Sequence, residues 1–118
     1  MDYLILNKVK IYGFETITAK KEEVGIPYDV ILISSCIDKS GLGDPVIHVV
    51  IDDSPIPIKI AKSHHKIYYY VIPEATVVLQ WVRKHYNQLK EHWNGKINDR
   101  QMLNIICKGG KDSGWELS

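Results

Sequence analysis

Three stretches of this chain combine residue types that can do chemistry, and all three contain histidine. His48 lies in PVIHVVI, residues 45–51, on the same strand face as Val46 and Val50, with Asp52 two positions further along that face. His64 sits on the connection Lys62-Ser63-His64-His65, which could fold back beside it. Two imidazoles and a carboxylate are the parts of a metal site, or of a general base with its orienting partner. His48, Asp52 and His64 are therefore the candidate catalytic residues, the basis of a third-ranked reading as a metal-dependent hydrolase. The plainer reading is a half-buried strand histidine and a polar turn, since no fixed spacing links the three. Neither a metal ligand set nor a cofactor is assigned.

His85 and His92 form the second setting. They are seven residues apart, two turns of a helix, on the side that also carries Trp81. A ridge of Trp81, His85 and His92 beside an apolar stripe is a candidate partner-binding edge, because Trp is enriched where binding energy concentrates. A metal pair on a helix would prefer a spacing of three or four. The plainer reading is a wide stripe with Trp81 at the rim of the core.

The third setting is basic and tyrosine-rich: Lys59, Lys62, His64, His65 and Lys66, then Tyr68-Tyr69-Tyr70. Read as a strand, consecutive tyrosines face both sides, so one of them points away from the core. An exposed Tyr69 among Lys62, His65 and Lys66 could stack on a base while the cations hold phosphates. Lysines that guard an edge strand against aggregation look the same.

Several signatures are missing. Gly41-Leu42-Gly43 runs into Asp44 rather than a Lys-Ser/Thr pair, no Cys-x-x-Cys occurs, and no serine sits between glycines as Gly-x-Ser-x-Gly. The familiar NTPase, zinc-ribbon and hydrolase patterns are thereby excluded.

The elements that must position these residues are legible as periods. Pro73 to Trp93 has one helical period: Ala75, Val78, Leu79, Val82, Tyr86, Leu89 and Trp93 share an arc, opposite Arg83, Lys84, Asn87, Lys90 and Glu91. Pro73 suits a first helical turn, and Asn94-Gly95 suits a helix end. Before it, strands are expected at residues 3–14, continuing over 16–19, and at 28–37, 45–51, 56–61 and 66–72. The run YDVILISSCI reads as a central strand buried on both faces, and Pro57 marks an edge strand. Ile97-Asn98-Asp99 offers a staple and cap for a short helix over Arg100 to Cys107. The expected class is α+β: a small, mostly antiparallel sheet of five or six strands, covered by one long C-terminal helix plus a short helix. Residues 1–107 are expected to form one domain, with 108–118 a flexible tail.

Charge and cysteine content set the remaining bounds. Residues 1–55 hold five Lys/Arg against nine Asp/Glu, a net of −4, and residues 56–118 hold ten against five, a net of +5. The chain as a whole carries +1, far from the strongly basic values of nucleic-acid domains. Two cysteines, no apolar run of membrane-spanning length and an N-terminus with its acid before its lysines lead to an expected cytoplasmic, non-membrane protein with reduced thiols.

Asp44-Pro45-Val46-Ile47-His48-Val49, followed downstream by a helix ending Leu89-Lys90-Glu91-His92-Trp93, resembles a family of small bacterial proteins of unknown function. That family carries Pro-Pro-His-x-His-Val near a strand and closes on a helix ending Asn-Trp. Pro45, His48 and Val49 match the second half of the first motif, and Leu89, Trp93, Gly95 and Leu103 to Ile106 match the close. Asp44 and Val46 stand where the family has its first proline and first histidine, so a function needing both histidines is not implied. The resemblance covers residues 44–106 and implies a small interacting module from a toxin–antitoxin-like locus. It implies no reaction.

The expected function is a non-enzymatic interaction module that binds a protein partner or itself as a homo-oligomer. The alternative is an RNA binder or RNA-directed toxin working through the basic, tyrosine-rich stretch.

Overall fold

The computed structural model describes residues 10–11 and 13–107. The expected N-terminal strand lies mostly outside the described residues, and the expected tail lies wholly outside them. Within the described residues the order is β1 (Lys10–Ile11), β2 (Phe14–Ala19), α1 (Lys21–Val24), β3 (Val30–Ile33), β4 (Val46–Ile51), β5 (Ser54–Lys59), α2 (Tyr68–Val71), α3 (Ala75–Lys84), α4 (Tyr86–Trp93) and α5 (Asp99–Ile106). The class is α+β. Strands β2 to β5 form an antiparallel meander in sequence order, with β1 a two-residue ladder against the start of β2.

β3 is buried on both faces, as its unbroken apolar run predicts, with no residue more than 3% exposed. Val30 and Leu32 point into the main core beneath α3, α4 and α5, together with Ile47, Val49, Ile58, Val78, Leu79, Val82, Leu89 and Met102. Ile31 and Ile33 point to the other face, where Ile11, Phe14, Ile37, Leu42, Val50 and Trp93 surround them. That two-period alternation within one strand is what lets a single sheet carry two apolar layers. β4 and β5 are joined by Asp52-Asp53, both at positive φ (52° and 66°), the geometry of a two-residue type I′ hairpin turn.

Two expected elements are different in the structure. Residues 66–72 do not form a strand: Tyr68–Val71 is a helical turn. The reason lies in the strand before it. Ile60 N–H donates back to the carbonyl of Pro45, the residue before β4, so the alternate backbone N–H positions of β5, residues 55, 57 and 59, point outward. Residues 55 and 57 are prolines without an N–H, and the Lys59 N–H is taken by the Tyr68 hydroxyl at 3.2 Å. A further strand would find no donors along that edge, so β-propensity in KIYYYVI goes unused and the segment coils over the edge instead.

The expected single long helix is two helices, α3 and α4, separated at His85, whose φ of −103° and ψ of 17° leave the helical region. Neither proline nor glycine causes the break; His85, Tyr86 and Asn87 are three consecutive residues of low helix propensity. The apolar stripe continues in phase across it, which is why the sequence reads as one period. At the far end Gly95 adopts φ of 78°, and a Cβ there would approach the Ser35 carbonyl oxygen at 3.4 Å. This close approach brings the end of α4 against the end of β3. Asn98 caps α5 in a reciprocal box with Gln101, each bond 2.8 Å.

Candidate functional site

Of the polar residues that the fold brings together, His92 is singled out by pattern and Ser34, Ser35 and Asp99 are not. Ser34 and Ser35 follow the last residue of β3, His92 lies in the last turn of α4, and Asp99 opens α5. Asp99 joins all three. Its Oδ2 accepts from the Ser34 hydroxyl at 2.6 Å, and its Oδ1 accepts from the Ser35 backbone N–H at 2.8 Å and from His92 Nε2 at 2.7 Å. The Cys36 thiol lies 3.1 Å from the Ser34 oxygen, which is committed as a donor to Asp99, so the thiol donates to it.

Burial pulls the His92 imidazole below its ordinary pKa, against the opposing hydrogen bond and charge of Asp99. Burial raises the Asp99 carboxyl, but its bonds from Ser34, Ser35 and His92 outweigh that and hold it below the usual carboxylate value. At neutral pH the pair is a neutral imidazole donating to a carboxylate.

Serine, aspartate and histidine here do not make a hydrolase triad. The carboxylate stands between the serine and the histidine, so the imidazole has no contact with a nucleophile whose proton it could take. The node is a tie between β3, α4 and α5.

The candidate catalytic residues are not brought together. His48 is buried, 3% exposed, on the sheet face of Ile31, while Asp52 is in the exposed β4–β5 turn. His64 Nε2 lies 2.7 Å from the Lys59 carbonyl oxygen and its ring meets Tyr68 edge-on. Among the described residues no three His, Cys, Asp or Glu side chains gather as a metal ligand set.

The expected Trp81–His85–His92 binding edge lies largely inside the molecule: Trp81 is 7% exposed and His92 2%, and the Trp81 ring meets the half-buried His85 ring at a tilt of 56°, centroids 4.8 Å apart. The basic stretch stays outside: Lys62, His65 and Lys66 are exposed, and Tyr69 is 46% exposed. Lys62 reaches over the Tyr86 ring, 5.1 Å from its centroid.

What pattern reading missed is an apolar surface. Ile67, Tyr69, Tyr70, Val71 and Val77 are exposed, Tyr70 by 85%, although all are large and hydrophobic. Ile105 is the other such residue among those described. The five lie within residues 67–77, on α2, the residue before it and the first turn of α3, and two of them, Tyr69 and Val77, line a shallow cavity of about 150 Å³ with Pro73 and Glu74. The signal lies in YYYV, whose residues suit a strand; as a helical turn it leaves Tyr69, Tyr70 and Val71 exposed.

The four histidines at 48, 64, 85 and 92 all have pKa values lowered, in each case first by burial. The folded chain therefore resists protonation that the unfolded chain accepts near pH 6.5. Their contribution is complete above that pH and is lost as pH falls below it. Asp99, also lowered, adds a second loss in the same direction below the ordinary carboxylate range. Thermal melts should be flat from pH 8 to 7 and then fall steadily from pH 6.5 to 4.5; a melting temperature that rises over that interval would contradict the assignment.

No family model matches the chain, and no curated protein and no solved structure matches it. Among the described residues, no helix is long and apolar enough to cross a membrane.

Proposed function

We propose that the chain is a non-enzymatic protein-interaction module whose binding surface is the apolar face of residues 67–77. The observation that supports this most directly is the concentration of exposed large apolar side chains there, five of the six among the described residues. Such surface is costly to leave in water and marks interaction sites when clustered. Lys62, His65 and Lys66 flank it on the N-terminal side. The partner this favours is an apolar segment bordered by Asp or Glu, such as an amphipathic acidic helix. Strand addition is disfavoured, because the β5 edge has no free outward donor among residues 55, 57 and 59. The family resemblance, with its toxin–antitoxin-like setting, points to a partner encoded nearby.

Selection from a displayed library of amphipathic helical peptides tests the reading. The wild type should enrich apolar stripes flanked by acids over the same stripes flanked by lysines. Tyr70→Glu combined with Val71→Glu should weaken the selected peptides at least tenfold and change stability by less than about 0.5 kcal/mol, since both sites are exposed. Equal binding by the double variant would remove this face from consideration. Light scattering over a concentration series separates a second copy of the chain from a different protein as the occupant.

A second reading rests on the same neighbourhood. Tyr70 stands 85% exposed near Lys66 and His65, an arrangement able to stack a base beside a phosphate. Binding of single-stranded RNA would then be strongly salt-dependent, whereas apolar docking would not. A flat RNA titration at low salt excludes it.

A further inference from the structure

A cavity of about 490 Å³ opens between the loop after β3 and the end of α4, within the size range of small-molecule sites. Lys39 is the residue that makes it unusual. Its side chain is enclosed, the residue 6% exposed, and its ammonium lies among the lining residues, 5.4 Å from the centroid of the Trp93 ring. One of its three N–H groups donates to the Ile37 carbonyl oxygen at 3.1 Å. Among the described residues no carboxylate lies within ion-pair distance of it, and the Asp99 and Asp38 charges act on it from further off. An ammonium held out of water with part of its donor set unused is costly to maintain. Such a group in a cleft is where a ligand charge would be stabilised.

The rest of the lining agrees in sign. Lys90 is a second lysine of the lining, its ammonium 5.6 Å from the centroid of the Tyr86 ring, and Ser35 and Ser40 line the cavity with it. Asp38 is the lining carboxylate, and it is occupied: its Oδ1 accepts from the Ser40 N–H at 3.0 Å, within its own exposed loop. Asp38 keeps its charge, so Lys39 and Lys90 against it leave the lining residues a formal net charge of +1. A cationic ligand would meet Lys39 directly, and a neutral apolar one would leave the ammonium stranded.

We propose that this cavity binds a small oxyanion, a phosphate ester or a carboxylate, with Lys39 as the buried anchor and Lys90 as the outer clamp. The site is independent of the apolar surface at residues 67–77. The bound anion would complete the hydrogen bonding of Lys39, with the Ser35 and Ser40 hydroxyls as further donors and Trp93 as one wall.

The test is amide NMR of the full-length chain titrated with inorganic phosphate, and in a parallel arm with citrate, against sodium chloride at matched ionic strength. Saturable shifts are expected at Ser35, Ser40 and the Trp93 indole N–H, with a dissociation constant on the order of 1 mM for such small probes. Stronger binding of phosphate identifies a phosphate ester as the ligand class, and stronger binding of citrate a carboxylate. Lys39→Met keeps the aliphatic stem and removes the charge; it should weaken binding at least tenfold. Lys90→Gln should weaken it several-fold and carries the test if Lys39→Met does not fold. Lys84→Gln, exposed on α3 and outside the cavity lining, should leave binding unchanged. Shifts no larger than those from chloride, or shifts that persist in the two cavity variants, would overturn the proposal.

Discussion

Asp99→Ala is expected to destabilise the fold by about 3 kcal/mol, because one carboxylate satisfies three donors from two separate segments, the end of β3 and α4. Hydrogen bonds to a charged group contribute roughly 1.5–3 kcal/mol each, and the 30% exposure of this side chain lets water recover part of that. What water does not reach is His92, 3% exposed at its side chain, whose Nε2–H would be left buried without an acceptor. Asp99→Asn should be nearly as damaging. The amide keeps one acceptor oxygen and turns an NH₂ group toward at least one donor. Urea denaturation of the two variants measures both effects. Coupling of about 1–2 kcal/mol between Ser34→Ala and Asp99→Ala in a double-mutant cycle would assign the loss to the tie itself. Additive losses, or a variant as stable as the wild type, would show that the node does not join β3 to α4 and α5.

Leu79→Ala is the second large effect. Leu79 is fully buried in the core layer between α3 and the sheet, and truncation there costs the transfer of the lost methyl groups plus the cavity left behind. A loss of about 3 kcal/mol is expected, a fall in melting temperature on the order of 10 °C for a domain of this size. Val77→Ala, two positions away but 40% exposed, should change stability by less than about 0.5 kcal/mol. Measured together, the pair separates core from surface on one helix: Leu79 carries stability, and Val77 belongs to the proposed binding face. A Val77→Ala variant as damaged as Leu79→Ala would mean that the 67–77 surface is structurally committed.

Periodicity was a reliable guide wherever one period maps to one environment. Ala75, Val78, Leu79, Val82 and Leu89 are buried as their helical spacing predicts, and Val30 to Ile33 are buried on both faces as their unbroken run predicts. Periodicity failed where two structures share a composition. KIYYYVI has the residues of a strand, yet whether it pairs depends on the donors its neighbour offers, and Pro55, Pro57 and the Tyr68–Lys59 bond remove them. Position along a helix was a poor guide to exposure for the same kind of reason. Trp81 and His92 lie on the flank of the stripe, yet both are buried, His92 where Asp99 of α5 reaches it and Trp81 within the main core.

The amino-acid order alone determined the class, the central strand, the edge character of β5, the cap at Asn98 and the core face of α3, because each depends on neighbours within a few residues. Tertiary structure decided the rest. Ser34 and Asp99 are 65 residues apart and meet because the chain reverses after α4, at Gly95 with its φ of 78°, and leads α5 back to the end of β3. Lys39 reads as a loop lysine until the walls of its cavity, drawn from the β3 loop and from Trp93 on α4, close around it. Sites of this kind are made by long-range closure, and no local period in a sequence encodes which distant segments will form the walls.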